Sequence, residues 1–292
     1  MFLLLNIKDD LMDYEYTDED LKKLQKLELM ILEEIDSICD KHNIEYYIYG
    51  GTGLGAVRHG GFIPWDDDID IAMFRDDYEK LLDIFEDELD SRFHVFAFEK
   101  QEECFFPFAK ICLSNTRFED WWAKQVSVDE GIFVDIFPLD NVPKSKFKRK
   151  LYHYKCRFLD HIVMNAILHI EIGSKLANIC HKALHSFLNF IPISNNRWKK
   201  MFYNSLTKYK DIDTDLVTCY FSQITDSHFG KFEYYHKSEY APAKKFKFEN
   251  TVLLGPNDMD TVLRRSYNDY MELPPEDKRV NHAPEVLDFG EY

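Results

Sequence analysis

The chain has 292 residues, with 36 Lys and Arg against 52 Asp and Glu, so its formal net charge is -16. Hydrophobic residues make up 45% and aromatic residues 15%. This composition excludes a disordered or fibrous protein and allows a sizeable core. The acidic excess excludes a protein that coats nucleic acid, because such binding needs many Lys and Arg side chains on phosphates. Taken alone, it also argues against a phosphate-bearing substrate.

The cysteines and apolar segments indicate the compartment. Six cysteines lie far apart without a C-x-x-C pair, which argues for reduced thiols and against a zinc site. The apolar run at 1–5 is too short, and its flank too acidic, for a secretory signal. No segment approaches the roughly 20 apolar residues that span a bilayer. We therefore expect a cytoplasmic protein with no transmembrane segment, in contact with at most the inner surface of a membrane.

In chain order, the first predicted element is a helix from Thr17 to about His42. Thr17 begins a Thr-x-x-Asp capping pattern, and the apolar residues that follow recur at helical spacing. A strand is predicted over 44–49, followed at once by a glycine-rich turn at 50–53 and a short helix. Residues 66–73 alternate acidic and apolar side chains, which predicts a half-buried strand.

Periodicity and turn residues also predict the remaining elements. These are a helix at 76–89, strands at 93–98, 108–113 and 131–137, helices within 148–210, a strand at 245–254 and a helix at 259–271. Pro138 is expected to close the strand before it, and Pro274 with Pro275 to stop the last helix. The pattern indicates a mixed α/β (α+β) fold.

Three carboxylates on predicted strands give the main functional signal. Strand geometry places Asp68 and Asp70 on one face, and Asp135 lies between bulky apolar neighbours on another strand. Carboxylates held close together either share a proton or bind a hard divalent cation, and oxygen ligands suit Mg²⁺ or Mn²⁺. A metal ion shared by all three would also satisfy the charge of a buried Asp135.

The glycine-rich turn adds phosphate-binding potential, because backbone N–H groups of such a turn and of the following helix hold phosphate oxygens. By itself Gly-Gly-Thr-Gly is more often an ordinary turn, and an acidic run such as 66–70 is more often a solvated loop. Here both occur in the order that metal-assisted phosphoryl chemistry requires. A divalent cation would also reconcile an anionic donor with an acidic chain.

Three segments resemble the LicD family of phosphocholine transferases, whose relatives include fukutin and fukutin-related protein in the nucleotidyltransferase superfamily. They are the glycine-rich and acidic segment at 50–71, the strand at 131–140, and a C-terminal segment at 267–279 with His282. The resemblance implies a nucleotidyltransferase-type mixed sheet core with a helical subdomain. It also implies metal-dependent transfer of phosphocholine, or a similar phospho-alcohol, from CDP-choline to a cell-surface glycan such as lipopolysaccharide or teichoic acid, releasing CMP.

The resemblance also implies roles by position. Asp68 and Asp70 would hold the metal ion, and Asp135 would complete the metal site or act as base on the acceptor hydroxyl. The nucleotide phosphates would contact Gly50, Gly51 and Thr52. Gly53 and Asn268 stand where a larger apolar residue and a glycine are usual, but these departures spare all three carboxylates.

Two basic residues are further nucleotide-binding candidates, each with a structural alternative. Arg58 would hold a phosphate bidentately or complete the dipole of its helix. Lys110 would reach a diphosphate or extend along the surface as a snorkelling side chain. Asp66 and Asp67 are predicted to be loop residues that support the site.

Trp65, Arg279 and His282 are predicted to support the site, with capping or packing as the alternative for Arg279 and His282. Trp65 and the pair Trp121 and Trp122 would stack on a base or on the choline cation. Core packing is the alternative for each of these tryptophans.

The chain is predicted to divide into a nucleotidyltransferase-like core at 1–142, a mainly helical subdomain at 143–240 and a strand-helix segment at 241–292 that packs back on the core. The basic stretch at 144–150 is either a solvated loop or a contact with anionic lipid or acceptor. The helices of 148–208 are either core or present an apolar face to a membrane.

Two other functions stay open as alternatives. An NTP-dependent nucleotidyltransferase of the same fold would release pyrophosphate instead of CMP. A catalytically silent scaffold would only bind nucleotide or glycan. The donor alcohol is open as well, since CDP-ribitol and CDP-glycerol suit the same chemistry.

Overall fold

The computed structural model describes residues 14–126, 128, 130–170, 175–221 and 234–292, so the apolar run at 1–5 lies outside the described residues. In these residues a mixed sheet of seven strands forms the centre, with strand order β1-β2-β6-β4-β3 and with β7 paired to β6 and β8. Its strands are β1 (Tyr47–Ile48), β2 (Asp70–Phe74), β3 (Phe93–Ala97), β4 (Ala109–Leu113), β6 (Phe133–Asn141), β7 (Leu216–Cys219) and β8 (Tyr235–His236).

The helices and the smaller sheets surround this centre. The helices are α1 (Asp18–His42), α2 (Gly50–Arg58), α3 (Arg75–Glu88), α4 (Lys146–Ile167), α5 (Lys175–Phe190), α6 (Asn195–Leu206), α7 (Lys237–Tyr240) and α8 (Met259–Tyr267). The strands β5 (Arg117–Glu119) and β11 (Val286–Asp288) pair with each other, as do β9 (Lys244–Phe248) and β10 (Thr251–Gly255). The mixed α/β fold class is confirmed.

Helix α1 forms as its sequence predicts. The hydroxyl of Thr17 accepts a hydrogen bond from the N–H of Asp20, whose carboxylate accepts in turn from the N–H of Thr17, and this capping box begins the helix. Asn43 ends it in the left-handed conformation, at φ 50. The apolar stripe is buried, and each fully buried Leu or Ile contributes roughly 1.5–3 kcal/mol.

Pro138 does not close its strand, contrary to the prediction, because it lies inside β6. On one edge of β6, β4 pairs with 133–136 and β7 pairs with 139–141. Pro138 falls in the gap between these two ladders, where its missing N–H group removes no hydrogen bond on that edge.

The C-terminal elements also differ from prediction. The strand predicted at 245–254 is a hairpin of β9 and β10, which turns at Glu249 with φ 49. The last helix ends at Tyr267 rather than 271, because Asn268 adopts φ 56 directly after it. In both cases a non-glycine residue with positive φ breaks an element that the apolar pattern alone would continue.

The range predicted to be mainly helical holds α4, α5 and α6. It also holds β7 and β8, which extend the central sheet through the pairing of Leu139 with Cys219. The sheet is therefore completed by residues from beyond the helices.

Candidate active site

The central sheet aligns three ionisable side chains in one row. In the ladders Asp70 on β2 pairs with Asp135 on β6, and Asp135 pairs with Lys110 on β4. The Nζ atom of Lys110 lies 3.3 Å from Oδ1 of Asp135 and 3.5 Å from Oε1 of Glu130. The two acids predicted from separate strands are thus neighbours, with a lysine beside them.

The glycine-rich segment is the start of α2 and faces these acids. Gly50 has φ 53, and a Cβ atom there would lie 3.0 Å from Oδ2 of Asp70. A Cβ on Gly51 would lie 2.6 Å from Oδ2 of Asp66. Glycine therefore lets the helix start approach both carboxylates, and the first N–H groups of a helix have no partner within it. The Thr52 hydroxyl accepts from the N–H of Asp70 at 2.8 Å, which fixes the beginning of β2.

The loop before β2 is tied to both ends of the described chain. The Asp67 carboxylate accepts from the Tyr16 hydroxyl at 2.9 Å and from the backbone N–H of His282 at 2.8 Å. The ring of His282 lies 3.9 Å from Asp68. Asp68 lies in this loop, two residues before β2, the strand that was predicted to carry it. Asp67 thus anchors the loop, which agrees with a supporting role.

Burial and mutual repulsion raise the pKa values of the acids. The pKa of Asp70 lies well above its usual range, first because of burial and then because of Asp68 and Asp135. Burial also raises the pKa of Asp66 to about 9, with further contributions from its two acidic neighbours. Burial raises the pKa of Asp135 to about 6, although Lys110 acts in the opposite direction. The group would ionise more easily beside an added positive charge.

The donor atoms suit a hard divalent cation. They are all carboxylate oxygens, and Oδ1 of Asp135 is in an ion pair with Lys110 but accepts no hydrogen bond among the described residues. In the described part of the chain, no three Asp, Glu, His or Cys side chains are grouped so as to hold a metal ion as they stand. The residues fit a cation by chemistry, and binding would require the carboxylates to draw together.

A cavity of about 460 Å³ opens beside the acids. Its lining includes Gly50, Gly51, Asp68, Asp70, Asp135, Lys110 and His282. The aromatic part of the lining, called the aromatic wall below, consists of Phe105, Phe106, Phe108, Phe118, Trp121, Trp122, Phe133, Phe137 and Phe221. Charged and aromatic side chains thus line one space of ligand size.

The predicted residues divide into those at the cavity and those beside it. Lys110 is 5% exposed, so the alternative of a snorkelling surface lysine is wrong. Arg58 does not line the cavity and donates to the Tyr270 carbonyl at 2.9 Å, which ties α2 to the C-terminal segment. Trp65 also lies outside the lining and stacks with Arg279, 5.1 Å from ring centre to guanidinium carbon.

Two buried acids near the site were missed by sequence reasoning. Glu28 on α1 is 2% exposed, and its Oε2 has no hydrogen-bond partner among the described residues. Its pKa lies well above the usual range because of burial and then of Asp68 and the neighbouring aspartates. The signal was an acid on the apolar stripe of α1, between Leu24 and Ile31. Glu130, beside Lys110, carried no comparable signal.

Comparison with known proteins assigns this site to a class. Residues 43–167 match the family model LicD/FKTN/FKRP, nucleotidyltransferase domain, a range that includes α2, both acidic strands and α4. Over 277 residues the chain is 29% identical to the lipopolysaccharide cholinephosphotransferase LicD of Haemophilus influenzae, covering 91% of this chain and 97% of that protein. A stretch of 40 residues is 40% identical to the ribitol 5-phosphate transferase FKRP of Mus musculus, covering 14% of this chain and 8% of that protein.

These similarities identify the chain as a phosphotransferase enzyme. The resemblance to the LicD family is confirmed, since residues 43–167 match the model of its nucleotidyltransferase domain.

Proposed function

We propose that this enzyme transfers phosphocholine from CDP-choline to a hydroxyl of a surface glycan such as lipopolysaccharide or teichoic acid, and that CMP leaves. The similarity to a lipopolysaccharide cholinephosphotransferase along 91% of the chain supports the reaction. The aromatic wall of the cavity is the observation that carries the choice of choline.

That wall provides the surface that a quaternary ammonium group prefers. The ring centres of Phe108, Phe137 and Phe221 lie 4.6–5.5 Å from one another. Lys110 already places a cation there, with Nζ 3.1 Å from the ring centre of Phe133. Aromatic faces attract cations that cannot donate hydrogen bonds, whereas a polyol such as ribitol needs polar partners. The wall therefore favours choline over ribitol or glycerol.

The roles of the residues follow from their placement. The N–H groups of 50–52 and the Lys110 ammonium would bind the diphosphate, with Arg58 a further candidate. The acceptor oxygen would form a bond to the β-phosphorus as the bond from that phosphorus to the oxygen of CMP breaks, and CMP would take the electron pair. Asp135 would either complete the metal site or accept the hydroxyl proton as the base.

Asp68, Asp70 and Asp135 would hold the divalent cation, Mg²⁺ or Mn²⁺, which when bound supplies charge neutralisation for the diphosphate. Trp65 and Arg279 would support the site from outside the cavity, and His282 would support it through the hydrogen bond from its backbone N–H to Asp67. We also propose that the chain divides into domains after residues 142 and 240, and that the enzyme lies at the inner face of a membrane.

The test is release of CMP by the purified protein with MgCl₂, a lipopolysaccharide acceptor and either CDP-choline or CDP-ribitol. We expect release with CDP-choline, and a loss on the order of a thousandfold in Asp70→Asn. Asp83→Asn, which removes an exposed acid on α3, is the matched control and should keep full activity.

Other outcomes would select the alternatives. Pyrophosphate release from CTP or ATP would support nucleotidyl transfer instead. Preference for CDP-ribitol would overturn the role of the aromatic wall. Binding of CDP-choline without any turnover would indicate a scaffold.

A further inference from the structure

Helix α5 turns its polar side to the protein. His181 and His185 donate from Nδ1 to Asn165 on α4, at 2.7 Å to its side-chain oxygen and 2.8 Å to its carbonyl. The Asn189 amide donates to the carbonyl of Ala166 at 3.3 Å. These residues recur every fourth position and so form one stripe of the helix, which holds it against the end of α4.

The apolar side of α5 consequently faces outward. Its exposed large residues are Leu176, Ile179, Leu184, Phe187 and Phe190. Leu176 is 71% and Phe190 87% exposed, whereas Leu188 is buried. An amphipathic helix on a water-soluble surface is expected to have the reverse orientation, with its apolar stripe towards the core.

Helix α4 has an outward apolar stripe as well. Its members, at helical spacing, are Phe147, Leu151, Tyr154 and Phe158. The described residues include sixteen exposed large hydrophobic side chains, and nine of them lie on these two helices. Such a concentration marks an interaction surface rather than scattered surface residues. We call the nine residues the outer apolar face.

The charge around the outer apolar face selects its partner. From 144 to 206 the sequence has 12 Lys or Arg against 2 acidic residues, in a chain with a net charge of -16. Lys146, Lys148, Lys150, Lys155 and Lys182 are exposed beside the apolar residues. In a symmetric dimer this face would meet itself and bring like charges together. An anionic lipid surface offers the opposite charge and an apolar interior.

We propose that α4 and α5 dock the enzyme on an anionic phospholipid bilayer, with the outer apolar face inserted at the level of the headgroups and the lysines on lipid phosphates. Interfacial helices insert roughly 5–10 Å, and lysines near the surface add electrostatic attraction to anionic lipids. Among the described helices, none is long and apolar enough to cross a membrane. This docking follows from the surface alone and does not rest on the reaction proposed above.

The test is flotation of the full chain with phosphatidylcholine vesicles, with or without about one third phosphatidylglycerol. We expect binding to the anionic vesicles and weakening by high salt. The triple variant Leu176→Gln, Ile179→Gln, Phe187→Gln should bind on the order of tenfold more weakly or worse. The control with Val252→Gln, Met271→Gln and Val280→Gln changes exposed apolar residues elsewhere and should bind as the wild type does.

Thermal unfolding and light scattering complete the test. Because the three α5 residues are exposed, their variant should unfold at the wild-type temperature and release CMP at the wild-type rate in the absence of phospholipid vesicles. Equal vesicle binding by both triple variants would overturn the proposal, as would absence of wild-type binding at low salt. A wild-type dimer that the α5 variant alone dissociates would identify this face as a subunit interface instead.

Discussion

The acidic site and a buried ion pair lie at opposite ends of the pairing between β2 and β6, and their charges are compensated differently. The ladder pairs Asp70 with Asp135 and ends where Phe74 pairs with Leu139, directly before Arg75 of α3 and Asp140 of β6. The Arg75 guanidinium donates twice to the Asp140 carboxylate, at 2.8 Å each, and lies 3.3 Å from Glu99. The charges of this pair, called the closed pair below, are therefore compensated within the protein.

The charges of the acids in the site are not compensated in this way. Asp70 faces Asp68 and Asp135, and Lys110 is shared between Asp135 and Glu130. Burying like charges is costly unless another charge compensates them. Asp140 therefore stabilises the fold, whereas burial of the acids of the site costs stability that the proposed cation would offset.

The largest expected effect on stability follows from breaking the closed pair. Asp140→Asn leaves the Arg75 guanidinium buried beside a neutral amide, and we expect the free energy of unfolding to fall by about 3–5 kcal/mol. Urea denaturation measures this. Asp83→Asn, an exposed acid on α3, should change it by less than about 0.5 kcal/mol. Loss of CMP release without loss of stability would show that Asp140 belongs to the site.

The next prediction tests whether the acids of the site bind a divalent cation. With MgCl₂ at a hundred times its dissociation constant, the unfolding free energy should rise by about 2.7 kcal/mol. Asp70→Asn should abolish this increase, and Asp140→Asn should retain it relative to its own metal-free value. Thermal unfolding with MgCl₂, against NaCl at the same ionic strength, measures it. An equal increase in Asp70→Asn would mean that the cation binds elsewhere.

Local patterns in the sequence predicted the individual helices and strands well. The capping box of Thr17 and the apolar stripe of α1 are properties of a single helix, and the structure confirms them. Pro138 was misjudged because its tolerance depends on a gap between β4 and β7, two strands distant in sequence. Alternation in the acidic segment was real, but the ladder begins only at Asp70.

The sequence predicted the acids of the site but not the residues that surround them. Asp70 and Asp135 were expected to meet, but the burial of Lys110 depends on Asp135 and Glu130, which lie on other segments. The apolar stripe of α5 was visible in the sequence as well. Which side of that helix faces inward is decided by hydrogen bonds to Asn165, and no periodicity reports them.

The smallest expected effect concerns Glu130 beside Lys110. It is measured as the pH dependence of the free energy of unfolding in EDTA. Burial raises the pKa of Glu130 to about 8, with Lys110 acting in the opposite direction. An acid with a raised pKa binds its proton more tightly in the folded state, so folding loses stability as pH rises from the unfolded pKa, about 4.5, towards 8. Glu130→Gln removes this loss.

The variant should therefore gain stability relative to the wild type between pH 7 and pH 8, by on the order of 1 kcal/mol, since one pKa unit corresponds to about 1.4 kcal/mol. Urea denaturation at both pH values gives the difference. If the variant instead loses stability relative to the wild type as pH rises, Glu130 is ionised in the folded state and forms a closed pair with Lys110. The lysine would then be unavailable to a diphosphate, and the site would resemble the Arg75 pair more than it differs from it.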